Sequence, residues 1–260
     1  MKNSPAPVDT VDEDAIASFA ENGWLLVSTL DDAGVRDLQR WCDDIAAWPD
    51  DGDGWLHHRE MTDAGPRLCR SENLIPFHPG LRALLTTGAL VETAGALLGE
   101  PAVLYKEKIN YKLVGGAGYA PHQDAPAYPF IDVHVSCMVA VDDSTADNGC
   151  LEVVSGMHHE VLPTDDVGCI RGDVVDAMQW DPVEVRAGHT LWFHSRTPHR
   201  SGPNMSGVAR RALYPTYNAA SEGDMRADYY RRKLAAFRAS PGGEHVQVSL
   251  IGDFQGRPVR

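Results

Sequence analysis

Along the chain, apolar residues recur first at the spacing of helices and then at the spacing of strands. Asp12 to Glu21 carries an amphipathic helical pattern stopped by Asn22-Gly23, and Trp24 to Val27 follows as a short strand. Asp31 to Trp48 sets Val35, Leu38, Trp41, Ile45 and Ala46 on one stripe, which predicts a second helix. Residues 49–78 are rich in Asp, Gly and Pro and predict a long loop region. Leu81 to Leu98 predicts one or two short helices, broken near Gly88 and ended by Gly99. From Pro101 the character changes. Segments 102–113, 131–142, 150–154, 183–186, 190–195 and 208–217 are short, β-branched or aromatic, and separated by Gly, Pro, Asn and Asp. They predict an antiparallel sandwich or barrel rather than an alternating β/α fold. Asp224 to Ala239 predicts a closing helix with Arg226, Arg231, Arg232 and Lys233 on a basic face. The expected architecture is mainly β with flanking helices: a helical part over 1–100 packing on a β core over 101–218, then a helix and tail over 219–260.

Length and composition narrow the class of function. At 260 residues the chain suits one domain with an ample core. Lys+Arg at 23 against Asp+Glu at 37 leaves a formal charge of −14, which argues against nucleic acid or an anionic membrane as partner. A small anion in a local basic pocket is compatible with that balance. No wholly apolar run reaches the roughly 18 residues of a membrane span, and the start MKNSPAPVDTVDEDA lacks the apolar stretch of a secretory signal. Cys42, Cys69, Cys137, Cys150 and Cys169 are odd in number and form no CxxC pair, so reduced thiols in the cytoplasm are the economical expectation. The pattern says nothing of oligomeric state.

Two H-x-acid tripeptides offer metal ligands, His58-Arg59-Glu60 and His122-Gln123-Asp124. In an extended segment residues i and i+2 point to one face, so either pair can present an imidazole and a carboxylate together. His58 falls in the expected polar loop, where a solvated side chain is the better reading. His122 follows GGAGYAP at the edge of the strand region, with Pro121 and Pro126 stiffening the backbone on both sides. A third ligand should come from a later strand, with His134, His158, His159, His189, His194, His199 and His245 as candidates. His199 ends the apolar segment GHTLWFHSRTPH at a turn, at the rim where it could meet a ligand from the opposite rim. His189 and His194 fit packing or surface roles better. Two His and one carboxylate form the facial triad of non-haem Fe(II) oxygenases, although zinc hydrolases use the same donors. Downstream, Val208 to Tyr214 alternates, putting Arg210 on the face of Ala212 and Tyr214 and Arg211 on the other. A guanidinium inside a barrel is costly unless it pairs with an anion, and its fork suits a carboxylate.

H-x-D, a distal His, and an Arg eleven residues further on resemble the phytanoyl-CoA dioxygenase family of Fe(II)/2-oxoglutarate oxygenases. DNGCLEVVSGMHH, AGHTLWFHSRTPHRSGPN and RRALYPTYN are further family-like stretches, and the likeness covers roughly residues 12–240. Met157 stands where the family usually has Ser, and His189 where it usually has Asp. The resemblance implies a double-stranded β-helix of jelly-roll or cupin type. It further implies Fe(II) held by His122, Asp124 and His199, and 2-oxoglutarate bound through Arg210 with Asn110 and Ser201 as added contacts. With O₂ as the other co-substrate, 2-oxoglutarate is decarboxylated to succinate and the substrate is hydroxylated, or rearranged through the same hydrogen abstraction. Halogenating relatives carry Gly or Ala in place of the carboxylate, so Asp124 favours hydroxylation.

The substrate is expected to be small and anionic or zwitterionic. In YKEKINYK, alternation aligns Lys106, Lys108, Asn110 and Lys112 on one face, and inward lysines in an acidic protein imply an anionic ligand. The stretch through HQDAPAY resembles the branch of the family that hydroxylates 2-aminoethylphosphonate and its N-methylated forms. A phosphonate would then sit against Lys108, with Lys106 and Arg196 as further cations. Its ammonium would lie among aromatics such as Tyr119 or Tyr128, with Phe130 and Trp192 also flanking the site. A hydroxylase of a zwitterionic amino-acid derivative, as in the ectoine hydroxylases, is the alternative enzyme. A non-catalytic metal-binding β-helix is the alternative outside enzymes.

Overall fold

The structure, a computed structural model, describes residues 5–50, 54–62, 65–128, 130–239 and 258–259, with side chains of the last helix described through residue 236. Helix α1 (Glu13–Asn22) is capped by Asp12, whose carboxylate accepts from the Ala15 N–H, and it stops at Gly23, which takes the left-handed φ of 80°. Strand β1 (Trp24–Ser28) follows, then α2 (Asp32–Ala46), capped by Asp31. Helices α3 (Pro79–Thr86) and α4 (Ala89–Leu98) break at Gly88 as the pattern predicts. Together Pro79–Leu98 has the length and mean hydropathy of a membrane-crossing segment, but the break makes it two short helices, which pack on the β core.

Residues 49–78 depart from expectation. Rather than a loop, they form a hairpin of β2 (Leu56–Thr62) and β3 (Gly65–Glu72). Apart from Leu56, its buried positions are polar, His57, His58, Arg70, Ser71 and Glu72, so no apolar alternation marks it as a strand pair. The chain before residue 100 is therefore only partly helical: it supplies three strands, β1 to β3, to the larger sheet.

The remaining strands are β4 (Ala102–Lys112), β5 (Gly118–His122), β6 (His134–Ala140), β7 (Leu151–Val153), β8 (Asp181–Val183), β9 (His189–His194), β10 (His199–Ser201), β11 (Arg210–Ala219) and β12 (Pro258–Val259). A single helical turn α5 (Gly172–Val175) lies between β7 and β8, and α6 (Arg226–Ala239) follows β11. The strands form a seven-stranded sheet, β1-β9-β6-β11-β4-β3-β2, and a five-stranded sheet, β12-β5-β10-β7-β8, both antiparallel. This is the double-stranded β-helix with flanking helices.

Strand alternation divides the interior into layers. On one face of the larger sheet, Val135, Cys137, Val139, Trp192, Leu213 and Tyr217 pack against α1 to α4. On its other face, Met138, Ala140, Leu191, Phe193 and Ala212 meet Leu151, Val153 and Val183 of the smaller sheet. Trp192 is thus a fully buried residue of the helix-side core, and its neighbour Phe193 faces between the sheets.

The pairing of β5 with β10 in the smaller sheet demands a glycine at the start of β5. A Cβ on Gly118 would sit 2.0 Å from the Ser201 carbonyl oxygen and 2.5 Å from the Gly202 carbonyl carbon, both backbone atoms that cannot swing aside. Gly118→Ala is expected to cost about 1–3 kcal/mol, the scale of overpacking. Gly202→Ala, whose Cβ would meet nothing within 4 Å, should be nearly neutral. Urea denaturation of the two variants checks this; equal midpoints would mean that β5 and β10 are not held at this spacing.

Candidate metal and co-substrate site

The antiparallel register of β5 and β10 sets His122 directly opposite His199. The two rings lie 4.1 Å apart between centroids. After His122 the chain leaves the strand, and Asp124 takes helical dihedrals at the head of the short turn Ala125–Ala127. A turn, rather than continued alternation, therefore brings the carboxylate back to the imidazole. Gln123 pins that turn: its amide donates to the Glu160 and Arg196 carbonyls and its oxygen accepts from the Leu162 N–H. His122, Asp124 and His199 present ligand atoms that all lie within 4.8 Å of one another.

The surroundings of these three groups fit a divalent metal. His122 donates from Nδ1 to the Ala120 carbonyl at 2.7 Å, and His199 from Nδ1 to the Thr197 carbonyl at 3.0 Å. Each bond fixes the tautomer with Nε2 as the lone-pair atom, the arrangement by which proteins orient metal-binding imidazoles. Burial, reinforced by His199, pushes His122 down to about 3, and burial lowers His199 as well, which favours the neutral form that binds metal. Asp124 Oδ2 accepts from Ser136 Oγ at 2.8 Å, and that hydroxyl also contacts Thr216 Oγ1 at 2.9 Å. Burial alone would raise the Asp124 carboxyl, but His199, Lys106, His122 and Lys108 hold it well below the usual carboxylate range. Two neutral imidazoles and one carboxylate suit Fe(II) and leave other coordination positions for small ligands.

Beside this group the cavity has two ends. On β4 and β11, Lys112 faces Arg210, Asn110 faces Ala212, Lys108 faces Tyr214 and Lys106 faces Thr216. Six residue steps of strand therefore separate the Arg210 end from the Lys106 end, about 20 Å at strand rise. At the first end Arg210 is buried and donates to the Asn148 carbonyl at 3.1 Å and to the Gly149 carbonyl, with no carboxylate partner among the described residues. Arg211 points out and pairs with Asp142 and Asp43. Arg210 shares its cavity with Ser201, Asn110, Tyr119 and Lys112. Lys112 Nζ donates to the Gly149 carbonyl, the Gly202 carbonyl and Ser201 Oγ, and burial, with Arg210 beside it, lowers it to about 7.

At the other end Arg70, Lys106, Lys108 and Lys233 face Glu72 and Asp124. Burial lowers Lys106 to about 8, and burial with Lys106 and Arg70 nearby lowers Lys108 well below an ordinary lysine. The Lys106 ammonium stands 4.3 Å above the centre of the Tyr128 ring and Lys108 5.4 Å above that of Tyr214. Tyr119 lines both ends, its hydroxyl accepting from Arg70 at 3.1 Å.

Other expectations are redistributed. Arg196 lies outside the cavity, contacting the His159 carbonyl and standing 3.9 Å from Asp132. Trp192 belongs to the helix-side core; Phe193 and Leu151 line the cavity instead. Phe130 lies under the Arg232 guanidinium. His58 is buried on β2, 3.4 Å from Glu72, and not solvated. His134 is buried beneath Tyr128, His158 stacks with His159 and His194, and His189 sits at the β1–β9 pairing. None of these joins the donor group, and His245 lies outside the described residues. Sequence reasoning missed Arg70, Glu72, Ser136, Tyr229 and Lys233. The spacing of Arg70 and Glu72 on one strand face was the available signal, hidden by the misread hairpin.

A family described as phytanoyl-CoA dioxygenase (PhyH) matches residues 19–212. The chain is 45% identical over 255 residues to a methylphosphonate hydroxylase of Gimesia maris, covering 96% of this chain and 98% of that protein. It is 37% identical over 235 residues to a 2-aminoethylphosphonate dioxygenase of the uncultured bacterium HF130_AEPn_1, covering 88% of this chain and 89% of that protein. In fold it is similar to EctD from S. alaskensis, crystallised with 2-oxoglutarate and 5-hydroxyectoine, with a TM-score of 0.72 at 19% identity over 85% of this chain and 80% of that one.

Ser136→Ala should weaken Fe(II) binding roughly 10-fold, the lower end of what losing a ligand-orienting hydrogen bond costs. His122→Ala and His199→Ala should abolish stoichiometric iron binding while far-UV circular dichroism stays unchanged. Anaerobic Fe(II) titration with elemental analysis measures both. Full iron loading in either histidine variant would remove that residue from the site.

Proposed function

The chain belongs to the phytanoyl-CoA dioxygenase family of Fe(II)- and 2-oxoglutarate-dependent oxygenases, and we propose that it hydroxylates a small phosphonate at the carbon next to phosphorus. The methyl and 2-aminoethyl compounds of the relatives' names both fall in that class, as does the aminophosphonate expected from the sequence. Lys106 and Lys108 carry this reading. They line the end of the cavity far from Arg210, and neither has a carboxylate within ion-pair distance among the described residues. A compact dianion supplies the missing charge, and lysine serves as a point charge for such a group.

His122, Asp124 and His199 would hold the iron, with Ser136 keeping the carboxylate turned toward it. Iron bound there supplies the oxidising chemistry that couples decarboxylation of 2-oxoglutarate by O₂ to hydroxylation of a substrate carbon. Arg210 would bind the distal carboxylate of 2-oxoglutarate, its Nε and one Nη anchored on backbone carbonyls so that the guanidinium is fixed before the ligand arrives. Ser201 and Asn110 line the same end and would orient that carboxylate. Lys108, with Lys106 beside it, would hold the phosphonate and aim its neighbouring carbon at the metal. Phe193 and Leu151 form an apolar wall that limits water around the reacting carbon. Asp124 would supply a third protein ligand to the metal, which suits transfer of hydroxyl rather than halide. No disulfide joins the five cysteines, which suits a reducing cytoplasm.

Succinate release measured over a panel of phosphonates and amino acids, with Fe(II), ascorbate and 2-oxoglutarate, tests the substrate class. Turnover with an amino-acid derivative and with no phosphonate would replace this reading. In the same assay Arg210→Ala should raise the 2-oxoglutarate requirement far more than Arg211→Ala, because a buried carboxylate left without its partner costs about 2–5 kcal/mol. Equal requirements would take Arg210 out of the co-substrate site.

A further inference from the structure

We infer that the buried pair formed by Glu72 and Lys233 makes the substrate end of the cavity select phosphonates that carry no ammonium group. This rests on the phosphonate reading and concerns which member of that class is taken.

An ammonium in a cavity needs a carboxylate or an aromatic face, and at this end Glu72 and the Tyr128 and Tyr229 rings each already have a cation of the protein against them. Only Glu72 and Asp124 among the residues lining that end are acidic. Asp124 belongs to the metal-ligand group and accepts from Ser136. Glu72, none of whose surface reaches solvent, accepts from the Lys233 ammonium through Oε2. Its Oε1 accepts no hydrogen bond but lies within ion-pair distance of two basic groups, 3.4 Å from His58 Nε2 and 3.6 Å from Arg70 Nη1. The ring faces are matched in the same way. Tyr128 lies under Lys106, Tyr214 under Lys108 and Tyr229 under Lys233. Glu60 lines the opposite end, with Arg210 and Lys112.

Lys233 comes from α6, and it stands against Glu72 where a substrate ammonium would find its counter-ion. A second ammonium there meets four basic side chains, and the Glu72 carboxylate it would need already has cations beside it, so like-charge juxtaposition disfavours the wrong ligand. A short alkyl group meets no such penalty beside Leu151 and Phe193. Lys233 is thus a specificity-determining residue that acts by occupying the acid an ammonium would need.

The isosteric ligands propylphosphonate and 2-aminoethylphosphonate, with methylphosphonate as the small reference, isolate the ammonium. For the wild-type enzyme, kcat/KM by succinate release should favour propylphosphonate over 2-aminoethylphosphonate roughly 10- to 100-fold, the range expected for an unmatched charged hydrogen-bonding group. Lys233→Met exposes Glu72 to the ligand and should move that ratio at least about 10-fold toward 2-aminoethylphosphonate. The ratio is indifferent to partial unfolding, which lowers both substrates alike, and the wild-type comparison stands if the variant does not fold. A wild type that takes 2-aminoethylphosphonate as well as its alkyl isostere overturns the inference, as does an unmoved ratio in a folded variant. If instead no phosphonate supports succinate release, the phosphonate reading itself fails.

Discussion

Everything at the site depends on one strand pairing, that of β5 with β10, which puts His122 across from His199. The two residues are far apart in the chain, and neither can bind a metal usefully alone. A slip of one residue would turn one imidazole to the opposite face of the sheet. The register is protected on both sides: Gly118 lets the two strands close, and the Lys112 ammonium bridges the Gly149 and Gly202 carbonyls behind them. The pairing creates the donor group, and the turn pinned by Gln123 completes it.

Around that pairing the protein buries an unusual number of charges for an interior, and it tolerates them by matching. Glu72 is shared by Lys233, His58 and Arg70, and Lys112 is absorbed by carbonyl and hydroxyl oxygens. The groups left without a carboxylate, Arg210 at one end and Lys106 with Lys108 at the other, are positive. An interior that matches most of its charges and leaves those cations facing a cavity offers positive charge at two separate places. One suits the carboxylate of a co-substrate and the other a compact dianion.

Much of this was legible in the sequence, for identifiable reasons. Apolar periodicity marked α1 to α4 and the long strands β4, β6, β9 and β11, because each has one face against a hydrophobic layer. Alternation in YKEKINYK and RRALYPTYN separated the two faces of β4 and β11, Arg210 from Arg211 above all, although the second face of β4 is buried too. The hairpin β2–β3 was not legible, since its buried face is polar and its partners come from β4 and α6. Trp192 was misplaced by one step: alternation along β9 turns it to the helix-side core and turns its neighbour Phe193, which the sequence reading did not single out, to the cavity. Lys233 was visible only as part of a basic helix face; that it turns inward depends on Glu72, 161 residues away.

Glu107 lends the fold an order of assembly. Its carboxylate is wholly buried and accepts from the Leu74 and Ile75 amides and from Arg226 of α6, 119 residues later. A growing polypeptide emerges from the ribosome with β4 long before Arg226 exists. Until α6 arrives, the buried carboxylate has the two amide donors but lacks the Arg226 counter-charge, and a broken buried pair costs about 3–5 kcal/mol. The strand that joins β11 to the β2–β3 hairpin therefore has its buried charge balanced only once the last helix is in place.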